Sequence, residues 1–139
     1  MSFVLDASVA LAWALPDEGG DDVKSLFERL VREGAIVPSL WKLEIGNTLL
    51  MAERRGRISG AFRAAAMTDL ALLPISIDAH TAANAWRGTM DLAAQHRLSA
   101  YDAAYLELAL REAIPLATFD AALSRAAVAA GVKVIGAAA

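Results

Sequence analysis

The chain has 139 residues, of which 57% are hydrophobic, with a net charge of −3 and no cysteine. This length predicts one domain, 1–139, that buries a core without disulfides, and the composition excludes a disordered chain. The acidic balance argues against a protein held to a polyanion by overall charge, so such a substrate would need a local basic patch or a bound cation. No apolar run reaches the ~20 residues that span a bilayer, and no basic signal region is visible, so we expect a cytoplasmic protein away from membranes.

Short apolar runs alternate with amphipathic segments along the whole chain. In order, the pattern predicts a strand at 3–5, helices at 8–15 and 21–32, a strand at 35–37, helices at 40–55 and 58–73, a strand at 75–77, a helix from 78 to 96, a helix at 99–112, a strand at 116–118, a helix at 120–130 and a strand at 132–135. Pro16 and Gly19 are expected to close the first helix, and the last residues to fray. This alternation predicts an α/β fold with a parallel sheet of about five strands covered on both faces.

Four acidic residues follow predicted strands or stand near the start of the next helix. They are Asp6, Glu44, Asp102 and Asp120. Ligands in parallel sheets bind beyond the carboxyl ends of the strands, so these carboxylates are expected to share one edge. Oxygen ligands without histidine or cysteine favour Mg²⁺ or Mn²⁺ over zinc, and a divalent ion that activates water at a phosphate is nuclease chemistry.

Each acid also has a structural explanation. Asp6 and Asp120 could cap the helices that follow them, and Asp102 could belong to a capping box with Ser99. Glu44 shares a helix face with apolar residues, so its carboxylate is expected to have a partner. The two histidines, His80 and His96, are interpreted as surface residues and not as ligands.

Four segments together resemble the signature blocks of PIN domains, in particular the ribonuclease toxins of VapBC-type toxin–antitoxin pairs. They are Val4–Ser8, Trp41–Leu49, Leu98–Tyr105 and Leu116–Asp120. The resemblance covers nearly the whole chain and implies a three-layer α/β/α fold. It implies a metal-dependent endoribonuclease that hydrolyses RNA to 5′-phosphate and 3′-hydroxyl ends. It also implies a cognate antitoxin that restrains this activity, and a homodimer.

The resemblance also assigns roles to single residues. It implies that Asp6, Glu44, Asp102 and Asp120 form the catalytic metal site for Mg²⁺, with Mn²⁺ as the other possible ion. Three polar residues match positions that support such a site, namely Ser8, Asn47 and Thr118.

The densest basic stretch contains Arg54, Arg55 and Arg57, with Arg63 nearby. These side chains could hold an RNA backbone, because phosphate contacts provide most nucleic-acid affinity. Alternatively, they could serve only to complement the dipole at the C-terminal end of a helix.

Other function classes fit the sequence less well. A phosphatase with an aspartate nucleophile needs a second Asp two residues after Asp6, where Ser8 stands. A phosphate-receiver domain needs an acidic pair after strand one and an Asp after strand three. Here strand one is followed by Asp6 alone, and strand three is followed by Asp78. No nucleophile elbow or P-loop occurs. A non-catalytic binding module with the same fold stays open, and metal-dependent RNA cleavage would separate it from an enzyme.

Overall fold

The computed structural model describes residues 2–15 and 20–136. The expected helix stop at Pro16–Gly19 and the last three residues of the tail lie outside this part of the chain. The described residues form five strands, β1 Phe3–Leu5, β2 Ala35–Val37, β3 Ile75–Ile77, β4 Leu116–Ala117 and β5 Val134–Ile135. They form eight helices, α1 Ala7–Ala14, α2 Asp21–Glu33, α3 Trp41–Arg54, α4 Gly60–Ala71, α5 Thr81–Asn84, α6 Gly88–His96, α7 Ala100–Glu112 and α8 Ala121–Ala129.

All five strands are parallel and lie in the order β3-β2-β1-β4-β5. Val4 pairs with Ile36 on one side and with Leu116 on the other, which makes β1 the middle strand. Its three residues are fully buried, as expected for a parallel strand that is covered on both faces. The predicted α/β class and the number of strands are therefore confirmed.

The strand order fixes where the helices lie. From β1 the chain moves outward to β2 and β3, and it then returns to place β4 on the other side of β1. Because parallel crossovers are right-handed, these two directions put the helices on opposite faces of the sheet. Accordingly, α1 packs against α2, α3 and α4, whereas α7 packs against α5, α6 and α8. The order reverses between β1 and β4, and the carboxyl end of such a switch point is where ligands bind in open α/β sheets.

One predicted helix is wrong in extent. The segment 78–96 forms two helices, α5 and α6, because the backbone of Arg87 leaves the helical region with φ −117° and ψ −112°. Asp78 stands at the start of this segment and is expected from the sequence to cap its helix, but His80 occupies the N-cap position of α5. The other predicted helices and strands agree with the structure within about two residues at their ends, which is the ordinary uncertainty of such boundaries.

The turn from α2 into β2 depends on a glycine. Gly34 has φ +73°, a left-handed conformation that side chains other than glycine adopt at a cost. A Cβ atom at this position would also lie 3.3 Å from the carbonyl oxygen of Pro74, which is tighter than most real contacts. Gly34 therefore allows β2 to start directly after the helix. No helix among the described residues is both long and apolar enough to cross a membrane.

Candidate active site at the switch point

Asp6 lies where the order of the strands reverses. Its backbone amide donates to the carbonyl of Ala117, which extends the pairing of β1 with β4 by one residue. Asp6 is 5% exposed, and its Oδ2 accepts hydrogen bonds from Ser8 Oγ at 2.7 Å and from Thr118 Oγ1 at 2.8 Å. Asp6 occupies the N-cap position of α1 but makes no capping hydrogen bond. The carboxylate is thus buried for a reason other than capping.

The direction of these two hydrogen bonds follows from the neighbouring amides. The amide of Phe119 donates to Ser8 Oγ at 3.0 Å, and the amide of Asp120 donates to Thr118 Oγ1 at 3.0 Å. Since an amide N–H can only donate, each hydroxyl accepts there and has its own proton left for Asp6. Oδ2 of Asp6 is therefore held as an acceptor, which matches an ionised carboxylate.

Glu44 has the partner that its position on an apolar helix face requires. The hydroxyl of Tyr105, on α7, donates to Glu44 Oε1 at 2.5 Å. Trp41 and Ile45 on the same face of α3 are buried, whereas Thr48, one turn after Glu44, is exposed. Sequence reasoning did not single out Tyr105. The available signal was a hydroxyl-bearing residue inside the apolar stretch of α7, the helix that carries Asp102 in its first turn.

The other two acids also serve as helix starts. Ser99 Oγ accepts from the amide of Asp102 at 3.1 Å, so half of the expected capping box is present and uses the backbone of Asp102. The side chain of Asp120 accepts from the amide of Leu123 at 2.8 Å, which makes it a genuine N-cap of α8. The carboxylate of Asp102 makes no hydrogen bond or ion pair to any residue that the structure describes.

Burial and mutual repulsion raise the pKa of three of these acids. For Asp6, burial is the largest cause and the charge of Asp120 adds to it, although the two hydroxyls and the Ala7 amide oppose the rise. For Glu44, burial comes first, the Tyr105 hydroxyl opposes it, and the charges of Asp6 and Asp102 add to it.

The pKa of Asp102 is raised by burial first and then by the charges of Asp6 and Asp120. Every one of the four acids is therefore coupled electrostatically to at least one of the others. The structure brings together the acids that the sequence predicts at one edge of the sheet.

The four acids offer a suitable set of donor atoms for a cation. It consists of carboxylate oxygens, which suits Mg²⁺ or Mn²⁺, and within the described residues no ion pair neutralises any of the four acids. Across 2–15 and 20–136, however, no group of three or more Asp, Glu, His or Cys side chains is already arranged to hold a metal ion. Carboxylates that repel each other stay apart until a positive charge draws them together. The chemistry of the donors fits, and closure around an ion would require side-chain movement.

The remaining predicted residues differ in their surroundings. Asn47 is exposed on α3, one turn after Glu44, and makes no hydrogen bond to another described residue. Arg54, Arg55 and Arg57 are exposed at the end of α3. Arg63 instead forms an ion pair with Glu53 at 2.5 Å, which removes it from this basic stretch. The histidines lie outside the acidic group, His80 exposed before α5 and His96 at the end of α6.

A second acidic group, which sequence reasoning missed, is neutralised by an arginine. Arg111 donates two hydrogen bonds to Asp78, at 3.1 and 2.7 Å, and two to Glu107, at 2.8 and 3.0 Å. Asp78 is the residue that a phosphate-receiver domain would use after strand three. It is buried and fully paired, and the strand order differs from the 2-1-3-4-5 order of receiver domains, so the receiver hypothesis loses its support.

A parallel sheet with four coupled acids at its switch point defines an α/β protein with a candidate cation site. A family model for the PIN domain matches residues 3–129, and the chain therefore belongs to the PIN domain family. The PIN resemblance seen in the sequence is confirmed. PIN domains are generally nucleases.

Solved structures with the same fold are distant in sequence. PAE2754 from Pyrobaculum aerophilum is 21% identical with a TM-score of 0.69, and the match covers 96% of this chain and 89% of that one. FitAcB from Neisseria gonorrhoeae is 19% identical with a TM-score of 0.67, covering 97% and 96%. VapBC2 from Rickettsia felis, bound to a DNA fragment from its promoter, is 14% identical with a TM-score of 0.64, covering 96% and 97%. At these identities the likeness shows the fold alone. Comparison with curated proteins finds no significant match.

Proposed function

We propose that the chain is a metal-dependent endoribonuclease and the toxin component of a toxin–antitoxin pair. The observation that carries this proposal is the coupling of Asp6, Glu44, Asp102 and Asp120 at the switch point of a PIN domain, without a cationic side chain paired to any of them in the described structure. A phosphodiester can approach such a group only if a cation screens the acids.

Each of these residues has a role in the proposal that its surroundings support. Asp6, Asp102 and Asp120 would hold Mg²⁺ or Mn²⁺, and Glu44 would complete the site. When bound, the ion would supply an activated water and stabilise charge on the phosphate oxygens. Ser8 and Thr118 hold Asp6 by a single oxygen, Oδ2, so neither hydroxyl competes for Oδ1. The aspartate is thereby oriented before any ion arrives, which lowers the cost of assembling the site.

The RNA contacts in this proposal come from Arg54, Arg55 and Arg57. They are exposed, and they stand at the end of the helix that carries Glu44 near its start. A positively charged helix end of this kind would contact phosphates without reading the sequence of the RNA. Asn47, exposed one turn after Glu44, would face the substrate as a polar neighbour of the site.

The antitoxin is proposed from the fold and from an apolar groove. One structural neighbour, VapBC2, carries the name of the VapBC pairs that the sequence resembles, and FitAcB shares its fold. In this chain a groove of about 410 Å³ lies between α1, α2 and α4, with Trp13, Phe27, Phe62, Leu70 and Leu73 among its lining residues. An apolar groove of this kind suits a protein partner. A homodimer and a cytoplasmic location complete the proposal.

RNA cleavage with and without metal tests the enzyme directly. Purified protein is incubated with structured RNA in EDTA, Mg²⁺ or Mn²⁺, and the new ends are analysed. We expect cleavage only with metal, and fragments with 5′-phosphate and 3′-hydroxyl ends. Mutation of a residue that only hydrogen-bonds to a metal ligand lowers activity roughly 10–100-fold. Asp102→Asn alters a proposed ligand itself, so its activity should fall by at least this factor. The fold should survive, because the Ser99 cap uses the backbone amide of residue 102.

A matched variant controls for loss of one acidic charge. Asp91 is exposed in the first turn of α6 and has no ion pair among the described residues, so Asp91→Asn should cleave like the wild type. Metal-dependent stabilisation without any cleavage would favour the non-catalytic binding module. Full activity of Asp102→Asn would remove that residue from the site.

A further inference from the structure

We infer that Tyr105 is the positioning residue of the site, holding Glu44 so that its second carboxylate oxygen faces the cation. This inference rests on the proposed function, because it assumes that Glu44 takes part in binding a divalent ion. Tyr105 itself would touch neither the ion nor the RNA.

The contact links two layers of the fold. Glu44 belongs to α3 and Tyr105 to α7, helices on opposite faces of the sheet, and 61 residues separate them in the chain. Their hydrogen bond therefore passes over the carboxyl edge of the sheet, where Asp6 lies. Asp102 stands three residues before Tyr105 on α7, which places the two on neighbouring positions of one helix face. The same helix thus presents Asp102 and restrains Glu44.

The burial of the two partners differs in the way a positioning contact requires. Tyr105 is completely buried in the core, so its ring has one fixed orientation, whereas Glu44 is only partly buried. A flexible glutamate on a helix surface would sample several rotamers, and a fixed hydroxyl selects one of them. The rigid partner therefore sets the position of the mobile one.

The chemistry of the pair determines which oxygen is left for an ion. A phenol carries its proton at neutral pH, so the Tyr105 hydroxyl acts as the donor to Oε1 of Glu44. Oε2 of Glu44 makes no hydrogen bond to any residue that the structure describes. A phenylalanine at position 105 would fill the same space but leave both oxygens unrestrained.

Binding of Mn²⁺ alone, without RNA, tests the inference. Free Mn²⁺ is measured by electron paramagnetic resonance during titration of the metal-free protein. We expect Tyr105→Phe to weaken Mn²⁺ binding about tenfold, the lower end of the effect known for groups that orient metal ligands. The control is Tyr101→Phe, which removes a hydroxyl from an exposed tyrosine one turn earlier on the same helix and should bind Mn²⁺ like the wild type.

Two further variants separate positioning from general destabilisation. If Tyr105 acts through Glu44, adding Tyr105→Phe to Glu44→Gln should weaken Mn²⁺ binding no further than Glu44→Gln alone. Tyr105→Phe keeps the buried ring, and water can replace the hydroxyl at the partly exposed Glu44, so the variant is expected to fold; a thermal melt verifies this. A loss that adds fully to that of Glu44→Gln would indicate a route other than Glu44 and overturn the inference.

The failure of this inference differs from the failure of the proposed function. If the wild type binds Mn²⁺ and Tyr105→Phe binds it equally well, Tyr105 does not position Glu44, while the metal site stands. If the wild type binds no Mn²⁺, both the metal site and the inference are refuted. Weaker binding by Tyr105→Phe, with Tyr101→Phe unchanged, supports both.

Discussion

Replacing Arg111 by methionine would remove a guanidinium that, in the described part of the chain, is the only positively charged side chain in contact with two acids. Arg111 makes paired hydrogen bonds to Asp78 and to Glu107, and it links α7 to the segment after β3. The side chain of Asp78 is 3% exposed and that of Glu107 is 9% exposed. Without the guanidinium, two carboxylates would be left close together and shielded from water. The variant should therefore be much less stable than the wild type.

The expected magnitude follows from the burial of the three side chains. Breaking a buried ion pair by removing one partner costs about 3–5 kcal/mol. Two features place this case at the lower end: the guanidinium is 24% exposed, and Asp78 keeps its hydrogen bonds from Thr81 Oγ1 and the His80 amide. A loss of about 3 kcal/mol is a large part of the roughly 5–15 kcal/mol that stabilises a typical domain.

Urea unfolding at neutral pH measures this loss, and Arg125→Met is the matched control. Arg125 is exposed on α8 without an ion pair to the described residues, so its replacement should change the free energy of unfolding by less than about 0.5 kcal/mol. A loss below about 1 kcal/mol for Arg111→Met would mean that the pair behaves like an exposed surface salt bridge, and it would refute the reasoning.

The pH dependence of this loss has a defined sign. Burial alone would raise the pKa of Asp78, but the hydrogen bonds from Arg111, Thr81 and the His80 amide hold it below its usual value. A carboxyl with a lowered pKa contributes stability above the pKa of the unfolded chain, near 4, and loses it as the pH falls through the folded value. The difference between the wild type and Arg111→Met should therefore narrow below about pH 4.

Three further predictions concern the site. Because the pKa of Asp102 is raised in the fold, its charge destabilises the metal-free protein above about pH 4. Asp102→Asn should therefore raise the melting temperature in EDTA at pH 7, and the difference from the wild type should disappear in acid. A lower melting temperature of the variant at pH 7 would contradict the repulsion between Asp102 and the neighbouring acids. Mg²⁺ or Mn²⁺ should raise the melting temperature of the wild type, and Asp6→Asn should weaken this response in the same thermal assay, whereas an equal response would place Asp6 outside the site. Neutralising Arg54, Arg55 and Arg57 together should weaken RNA binding and flatten its dependence on salt concentration, as measured by filter binding. If the slope of affinity against salt is unchanged, these arginines do not contact RNA phosphates.

The sheet was predictable because its strands are short, apolar and separated by helical segments. In β1, β2 and β4 nearly every residue is buried, so their sequences show plain apolar runs. The break between α5 and α6 was not predictable in the same way. The residues from Thr81 to Met90 carry no proline, and the interruption at Arg87 precedes a glycine that a helix can tolerate. Such breaks depend on how the segment packs against α7, which a local pattern does not contain.

The place of the four acids of the candidate site was predictable from the sequence, but their partners were not. Asp6 directly follows β1 and Asp120 comes three residues after β4, and the rule for parallel sheets places such residues at one edge. Tyr105 meets Glu44 across 61 residues, and Arg111 meets Asp78 across 33. Contacts between distant segments depend on side-chain orientation in the folded core. The sequence could therefore require a partner for Glu44 without identifying it.

Buried acids occur in two different settings within this chain, and the comparison between them bears on function. Asp78 serves the structure, and the fold supplies Arg111, which together with neighbouring donors lowers its pKa despite burial. Asp6 is buried, and Glu44 and Asp102 are partly buried, yet their pKa values are raised and no arginine or lysine of the described chain is paired with them. A cluster of acids that served only stability would be expected to have a cationic partner, as Asp78 does. The acids at the switch point have no such partner in the described chain, so their negative charge destabilises the metal-free fold. A divalent cation bound among them would compensate this charge.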